Sequence, residues 1–302
     1  MKILLLGKNG QVGWELQRAL APLGELVALD FDSPGPLSAD FSKPESLTAT
    51  VKAVRPDIVV NAAAHTAVDR CETEPDLARA LNATGPAVLA REAVALGAWL
   101  LHYSTDYVFD GSGSDFRKEE APTGPLSVYG RSKLEGEAAI RSSGCRHLIL
   151  RTSWVYAARG GNFAKTMLKL ASERERMSVI DDQIGAPTGA DLLADVSAHA
   201  LRAAMARPEL AGTYHAVAAG ETSWYAYARH VIEFARGAGQ PIRVAADAIV
   251  PIPTSAYPTP AMRPRNSRLD TTKLRSTFGL ALPPWQQGVD RMLAEILTGP
   301  PT

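Results

Sequence analysis

"KILLLGKNGQVGWELQRAL", residues 2–20, decides the fold. Ile3 to Leu6 form an apolar run with no polar alternation, as in a strand buried on both faces, and Gly7 closes it. Helical spacing follows, with Trp14, Leu16, Leu20 and Leu23 available to a core and Gly24 as a stop signal. Gly7, Gly10 and Gly13 fall around the turn between the two. Gly7 suits a tight turn, Gly10 lets backbone approach a pyrophosphate, and Gly13 allows close helix packing. The N–H groups of Gln11 and Val12 and the positive end of the helix dipole then face the same point, so the turn reads as a dinucleotide site. Glycine-rich turns are common, and the placement after a strand and before a helix gives this one its meaning.

The same alternation continues outward. "ELVALD" (25–30) is a second strand ending in Asp30. "PESLTATVKAVRPD" (44–57) is a helix, "IVVNAAA" (58–64) a strand, "LARALNATGPAVLAREAVALG" (77–97) mostly helix and "AWLLHYST" (98–105) a strand. "LSVYGRSKLEGEAAIRSSG" (126–144) gives a helix and "HLILRTSWVY" (147–156) a further strand. Apolar strands alternating with helices predict an α/β fold, a doubly wound parallel (Rossmann-type) sheet covered on both faces. Residues 1–155 are predominantly this dinucleotide-binding domain. Residues 156–302 are predominantly a smaller carboxyl-terminal substrate-binding lobe, with some segments returning to the sheet. "NFAKTMLKLASERER" (162–176) and "DLLADVSAHALRAAMARPE" (191–209) read as helices there, the proline-dense 250–268 as irregular, and "TGPPT" (298–302) as a frayed tail.

In such sheets ligands lie beyond the carboxyl ends of the strands, so "GKNGQVG", "NAAAHT", "HYSTDY" and "RTSWVY" should converge on one cleft. Ala62, Ala63, Ala64 and Thr66 then join the glycine turn around the cofactor. Asp30 can accept hydrogen bonds from a ribose diol and would repel a 2′-phosphate, which favours NADH. Lys8 in the turn offsets that repulsion and leaves NADH against NADPH open. Asp40 and Phe41 either bracket the adenine or serve as a capping residue and a core residue.

"YGRSK" places Tyr129 and Lys133 four apart on one face of a helix. A nearby ammonium favours the phenolate and lowers the phenol's pKa, so the pair can exchange a proton with a carbonyl or alcohol oxygen while the lysine also holds a nicotinamide ribose. Thr105 and Ser104 should point to opposite faces of their strand. His65 and His102 lack the partners of a hydrolase and read as polar lining or satisfied core histidines.

Thirty-two basic and thirty-two acidic residues cancel, which argues against nucleic acid or an anionic membrane as partner. The two cysteines, Cys71 and Cys145, belong to no metal or redox pattern. Met1-Lys2 is followed by only four apolar residues before Gly7, too few for a signal peptide or membrane span, so a cytoplasmic location is expected.

The glycine turn, the "STD" run and Tyr-x-x-x-Lys together resemble the extended short-chain dehydrogenase/reductase superfamily. Within it, "GKNGQVGWELQRAL", "VVNAAAHTAVD", "HYSTDYVFDG", "VYGRSKLEGE", "LRTSWVY", "DDQIGAPT" and "YPTPAMRPRNSRL" look like the dTDP-4-dehydrorhamnose reductase family, from the first strand nearly to the end. That resemblance implies reduction of the 4-keto group of a dTDP-bound 6-deoxy sugar with NADPH or NADH. It makes Tyr129 the proton donor, Lys133 its partner and ribose ligand, and Thr105 a donor to the ketone oxygen. It also implies substrate contacts from Asp106 and Trp154 and, by extension, Val68, Tyr107, Gln183 and Arg263. Trp154 could instead be core, and Arg263 either solvated or a cation for the diphosphate. A homodimer with Mg2+ is implied as well; Glu15 and Asp191 fall where its acidic ligands belong, or are ordinary exposed acids. The same residues would serve a nucleotide-sugar epimerase or dehydratase. Intact Thr105, Tyr129 and Lys133 argue against a non-catalytic NADP-binding regulatory subunit.

Overall fold

The computed structural model describes residues 1–297, so the 298–302 tail lies outside the described residues. Six parallel strands form the central sheet: β1 (Lys2–Leu6), β2 (Glu25–Leu29), β3 (Ile58–Asn61), β4 (Trp99–Thr105), β5 (Arg146–Thr152) and β6 (Gly212–His215). Their order is β6-β5-β4-β3-β1-β2, and the winding direction reverses between β1 and β3. A crevice opens at such a reversal, beyond the carboxyl ends of the strands. Leu6 pairs with both Leu29 and Asn61, and Thr105 with Thr152, so the polar tails emerge along one edge.

The main helices are α1 (Gln11–Leu20), α2 (Pro44–Val54), α3 (Gly85–Leu96), α4 (Val128–Ser142), α5 (Phe163–Glu173), α6 (Ala190–Ala206), α7 (Trp224–Gly237) and α8 (Trp285–Leu297). Strand alternation sorts them into layers. Ile3 and Leu5 of β1 join Leu16 and Leu20 of α1 and Leu193, Ala200 and Leu201 of α6. Leu4 and Leu6, one step out of phase, join Leu47 and Val51 of α2, Leu89 and Ala93 of α3 and Ile140 of α4. Complete burial of a leucine contributes about 2 kcal/mol, so β1 alone anchors both layers. The second half of the chain therefore supplies α6 and the edge strand β6 to this sheet. Helices α5, α7 and α8 close a separate core around Tyr156, Tyr227, Trp285 and Val289.

Two expectations need correction. Trp14 does not enter the core: it is 46% exposed and lies beneath the Arg159 guanidinium, 4.0 Å from the ring centre. Gly13, Leu16 and Leu20 form the buried face of α1, leaving the indole on the opposite side of the helix. Residues 250–268 are not wholly irregular, because Ile249–Ile252 pairs in parallel with Met177–Ile180. Pro251 is tolerated there because a two-stranded ladder leaves each strand an outer edge that needs no donor.

Candidate active site

The glycine turn owes its shape to three different needs. Gly7 has φ +87°, and a Cβ on it would sit 2.6 Å from the Ala63 nitrogen. A Cβ on Gly13 would sit 1.9 Å from the Gly7 carbonyl oxygen, so α1 packs directly on the turn. At Gly10 the added atom would meet only that same oxygen, at 3.5 Å. Gly10 is also the N-cap of α1 and offers no capping side chain, which leaves the first-turn N–H groups for an external anion. Gln17 braces the turn from behind, its Nε2 donating to the Lys8 carbonyl at 3.0 Å. On the other side Asn162 Nδ2 reaches Gln11 Oε1 at 3.4 Å.

Asp30 stands at the end of β2 and ties it to the turn. Asn9 N–H donates to Asp30 Oδ2 at 2.9 Å and Phe31 N–H to Oδ1 at 2.8 Å, leaving each oxygen a further lone pair for a diol. Ala62, Ala63 and Ala64 follow β3 partly buried beside the turn, and Thr66 is exposed. Asp40 and Phe41 both make local contacts, which either of their two readings allows. Asp40 accepts from the Ser42 N–H and hydroxyl and pairs with Lys43, while Phe41 is buried against Gly85.

Opposite the turn, α4 brings its first two turns to the end of β4. Ser127 caps it by accepting the Gly130 N–H at 3.2 Å, and Glu72 accepts the Val128 N–H at 2.8 Å. A Cβ on Gly130 would sit 2.3 Å from the Tyr107 carbonyl oxygen, so the helix start lies directly on the turn that follows Thr105. Tyr129 thereby meets Tyr107 edge to face, ring centres 5.5 Å apart. The phenol is nearly buried. Burial raises its pKa above the usual value, with the Thr105 hydroxyl opposing. This reverses the expected lowering: removal of water from the phenolate outweighs any help from Lys133.

Lys133, one turn further on, is fully buried, and burial holds its pKa down to about 8 against the charge of Glu137. Its Nζ donates to the Tyr103 carbonyl at 2.6 Å. Thr105 Oγ1 donates to Asp106 Oδ1 at 3.0 Å and accepts the Tyr107 N–H at 3.2 Å. Burial pushes Asp106 up to about 6, opposed by the Ser267 and Thr105 hydroxyls. Ser104 is also buried, in the strand position before Thr105. Thr105, Tyr129 and their neighbours thus form one rim, with Lys133 beneath it.

The substrate-side candidates are brought together through partners that sequence reading missed. Trp154 holds φ +49°, a strained setting for a bulky residue, and its indole stacks on Trp224 with ring centres 3.5 Å apart. Gln183 accepts from Trp224 Nε1 and donates to Thr254 Oγ1, each at 3.1 Å. Arg263 is partly buried and forms a two-pronged pair with Asp69, Nη2 to Oδ2 at 2.7 Å and Nη1 to Oδ1 at 3.1 Å. Val68 packs beside Cys71, Tyr107 and Tyr129. Asp69 and Trp224 carried no local signal, since each matters only through a residue far away in sequence.

Each metal candidate sits beside an arginine. Glu15 lies by Arg18 at 3.6 Å and Asp191 by Arg291 at 3.7 Å. Among the described residues no three His, Cys, Asp or Glu side chains stand together in a way that could hold a metal ion. Cys71 and Cys145 are free and buried, and no described helix is long and apolar enough to cross a membrane.

A parallel sheet whose switch point carries an uncapped helix start, facing a buried tyrosine and lysine, defines an oxidoreductase of the extended short-chain type. Similarity to known proteins narrows this. The family described as the RmlD substrate binding domain matches residues 1–298. The chain is 58% identical over 298 residues to the dTDP-4-dehydrorhamnose reductase of Escherichia coli strain K12, covering 99% of each. A crystal structure of a dTDP-4-dehydrorhamnose reductase from Clostridium acetobutylicum matches with TM-score 0.87 and 34% identity, over 97% of this chain and 98% of that one. The enzyme of that name from Bacillus anthracis, solved in complex with NADP, matches with TM-score 0.85 and 33% identity, over 96% and 98%. The chain belongs to the dTDP-4-dehydrorhamnose reductase family.

Proposed function

We propose that this protein reduces the 4-keto group of dTDP-4-dehydro-L-rhamnose to give dTDP-L-rhamnose. The observation that carries the reading is the meeting of Thr105 and Tyr129 at the end of β4, with Lys133 buried below and the uncapped start of α1 across the cleft. Bound NAD(P)H supplies the hydride. The first-turn N–H groups of α1 and the open face at Gly10 suit its diphosphate, and Asp30 retains lone pairs for its ribose. Tyr129, protonated at working pH because burial disfavours its phenolate, gives its proton to the sugar O4 as negative charge develops there. The Thr105 hydroxyl donates to the same oxygen, which requires it to turn from Asp106. Trp154, Tyr107 and Val68 offer faces for the sugar, Asp106 and Gln183 polar atoms, and Arg263 a guanidinium for the substrate diphosphate.

The test is oxidation of NADPH or NADH with the 4-keto sugar nucleotide, followed by identification of the product. dTDP-L-rhamnose is expected. The 4-epimer, or no turnover with either cofactor, would reject the reading. The homodimer with Mg2+ implied by the family resemblance stays a separate proposal, with Glu15 and Asp191 as its acids. Sedimentation in Mg2+ and in EDTA decides it.

A further inference from the structure

Beneath the Thr105–Tyr129 rim runs a buried polar chain whose first two members the proposed reaction does not use: Asn61 at the end of β3, His102 in β4, and Lys133. All three are at most 2% exposed. The Ala63 N–H donates to Asn61 Oδ1 at 3.1 Å, and this fixes the amide. The atom turned to His102 Nδ1, 3.0 Å away, is therefore Nδ2, a donor, and Nδ1 must accept. Burial holds the ring well below its usual pKa, so the imidazole is neutral whichever form Lys133 takes. Its single proton then sits on Nε2. That nitrogen faces Lys133 Nζ at 3.3 Å, while Nζ donates to the Tyr103 carbonyl. An ammonium has three donors and no lone pair, so it cannot accept from the ring, whereas an amine can.

We propose that Asn61 selects the Nε2–H tautomer of His102 and that this ring N–H favours the uncharged amine of Lys133, making Asn61 and His102 positioning residues for the lysine's proton. The consequence for turnover rests on the reductase reading; the geometry does not. Burial acts in the same direction on Lys133. Glu137, one turn along α4, favours the cation, but its charge is shared with Arg151 and Arg141, each 2.7 Å from Glu137 Oε2. Tyr129, one turn before, is uncharged. A lysine poised near neutrality both gives and takes a proton at working pH, which is the condition for returning one to Tyr129 after each turnover.

Full-length protein labelled with 15N-histidine, free and with NADPH, tests this through long-range 1H–15N correlation spectra. The expected pattern for His102 is the Nε2–H tautomer, and an Nδ1–H pattern overturns the proposal with no variant made. In Asn61→Asp one carboxylate oxygen keeps the Ala63 N–H and the other accepts from Nδ1–H, so the tautomer should reverse and Nε2 should offer Lys133 a lone pair. The Lys133 titration, followed by the 13Cε shift of labelled lysine, should then rise by one pH unit or more, and so should the corresponding limb of kcat/KM. A titration that moves with the tautomer unchanged assigns the effect to the added charge alone. A reversed tautomer with the titration unmoved disconnects His102 from Lys133. Either result overturns the proposal. If Asn61→Asp does not fold, the unmodified protein's spectrum decides. The spectra need no substrate, so failure of the sugar assay and failure of this inference are distinguishable.

Discussion

The two rims of the cleft are built by different means. The rim at the end of β1 is almost all backbone: its shape comes from the absence of side chains at Gly7, Gly10 and Gly13, and its donors are peptide N–H groups. The opposite rim is all side chains, and these already hold one another: Thr105 with Asp106, Gln183 with Trp224 and Thr254, Arg263 with Asp69. Backbone donors fixed by a helix suit a ligand part that never changes, such as a diphosphate. Paired side chains would have to exchange partners to hold a substrate, so a rim built this way suits discrimination among ligands at a cost in binding.

The sharpest way to break that contrast is to remove one atom from the side-chain rim. Tyr129→Phe should lower kcat by about 10^2 to 10^4-fold while cofactor affinity, followed by fluorescence titration, changes little. Near-normal turnover would remove Tyr129 from the chemistry. On the backbone rim one atom added should matter as much, but through stability. Gly13→Ala places a Cβ 1.9 Å from a backbone oxygen that cannot swing aside, and should cost about 3 kcal/mol in urea unfolding. Gly10→Ala, with its nearest atom at 3.5 Å, should unfold like the parent and lose cofactor affinity by roughly tenfold. Equal stability losses for the two would contradict the division of labour between these glycines.

A pH-dependent effect concerns Asp106. Its native pKa of about 6 lies above the usual 3.8, so between those values the folded state binds more protons than the unfolded one. Stability from this group therefore falls as pH rises from about 4 to 6, and the full cost of the buried carboxylate applies above that window. Asp106→Asn should gain about 2 kcal/mol of stability at pH 7.5, little at pH 4, and lose activity at both. The same stability change at the two pH values would show that ionisation of Asp106 is not what strains the site.

Most of the sheet was legible because its signals are local. A continuous apolar run, a turn glycine and a helical repeat lie within twenty residues in "KILLLGKNGQVGWELQRAL", and the period of two in β1 sorts the two layers. Trp14 was misplaced because spacing shows which residues can reach a core but not that the fold buries the face of Gly13, Leu16 and Leu20 instead. Proline density hid the short strand at 249–252, since prolines exclude central strands and not edges. The expected phenol shift failed for a related reason: Tyr-x-x-x-Lys gives the charge four residues away, but the depth of burial comes from the whole fold. The pairing of Arg263 with Asp69 spans 194 residues, and no pattern within either segment reports it.

The contribution of α6 and β6 to the sheet also has a consequence for the chain as it is made. Leu20 is buried against residues around Ala200, which leave the ribosome roughly 10–40 s later at 5–20 residues per second. Until then α1 is an uncovered apolar helix, and once β5 is made its edge stays open until β6 follows. Synthesis of this protein therefore includes a stage at which the sheet exposes apolar surface and an unpaired edge, both openings to aggregation, and completion of the second half ends it.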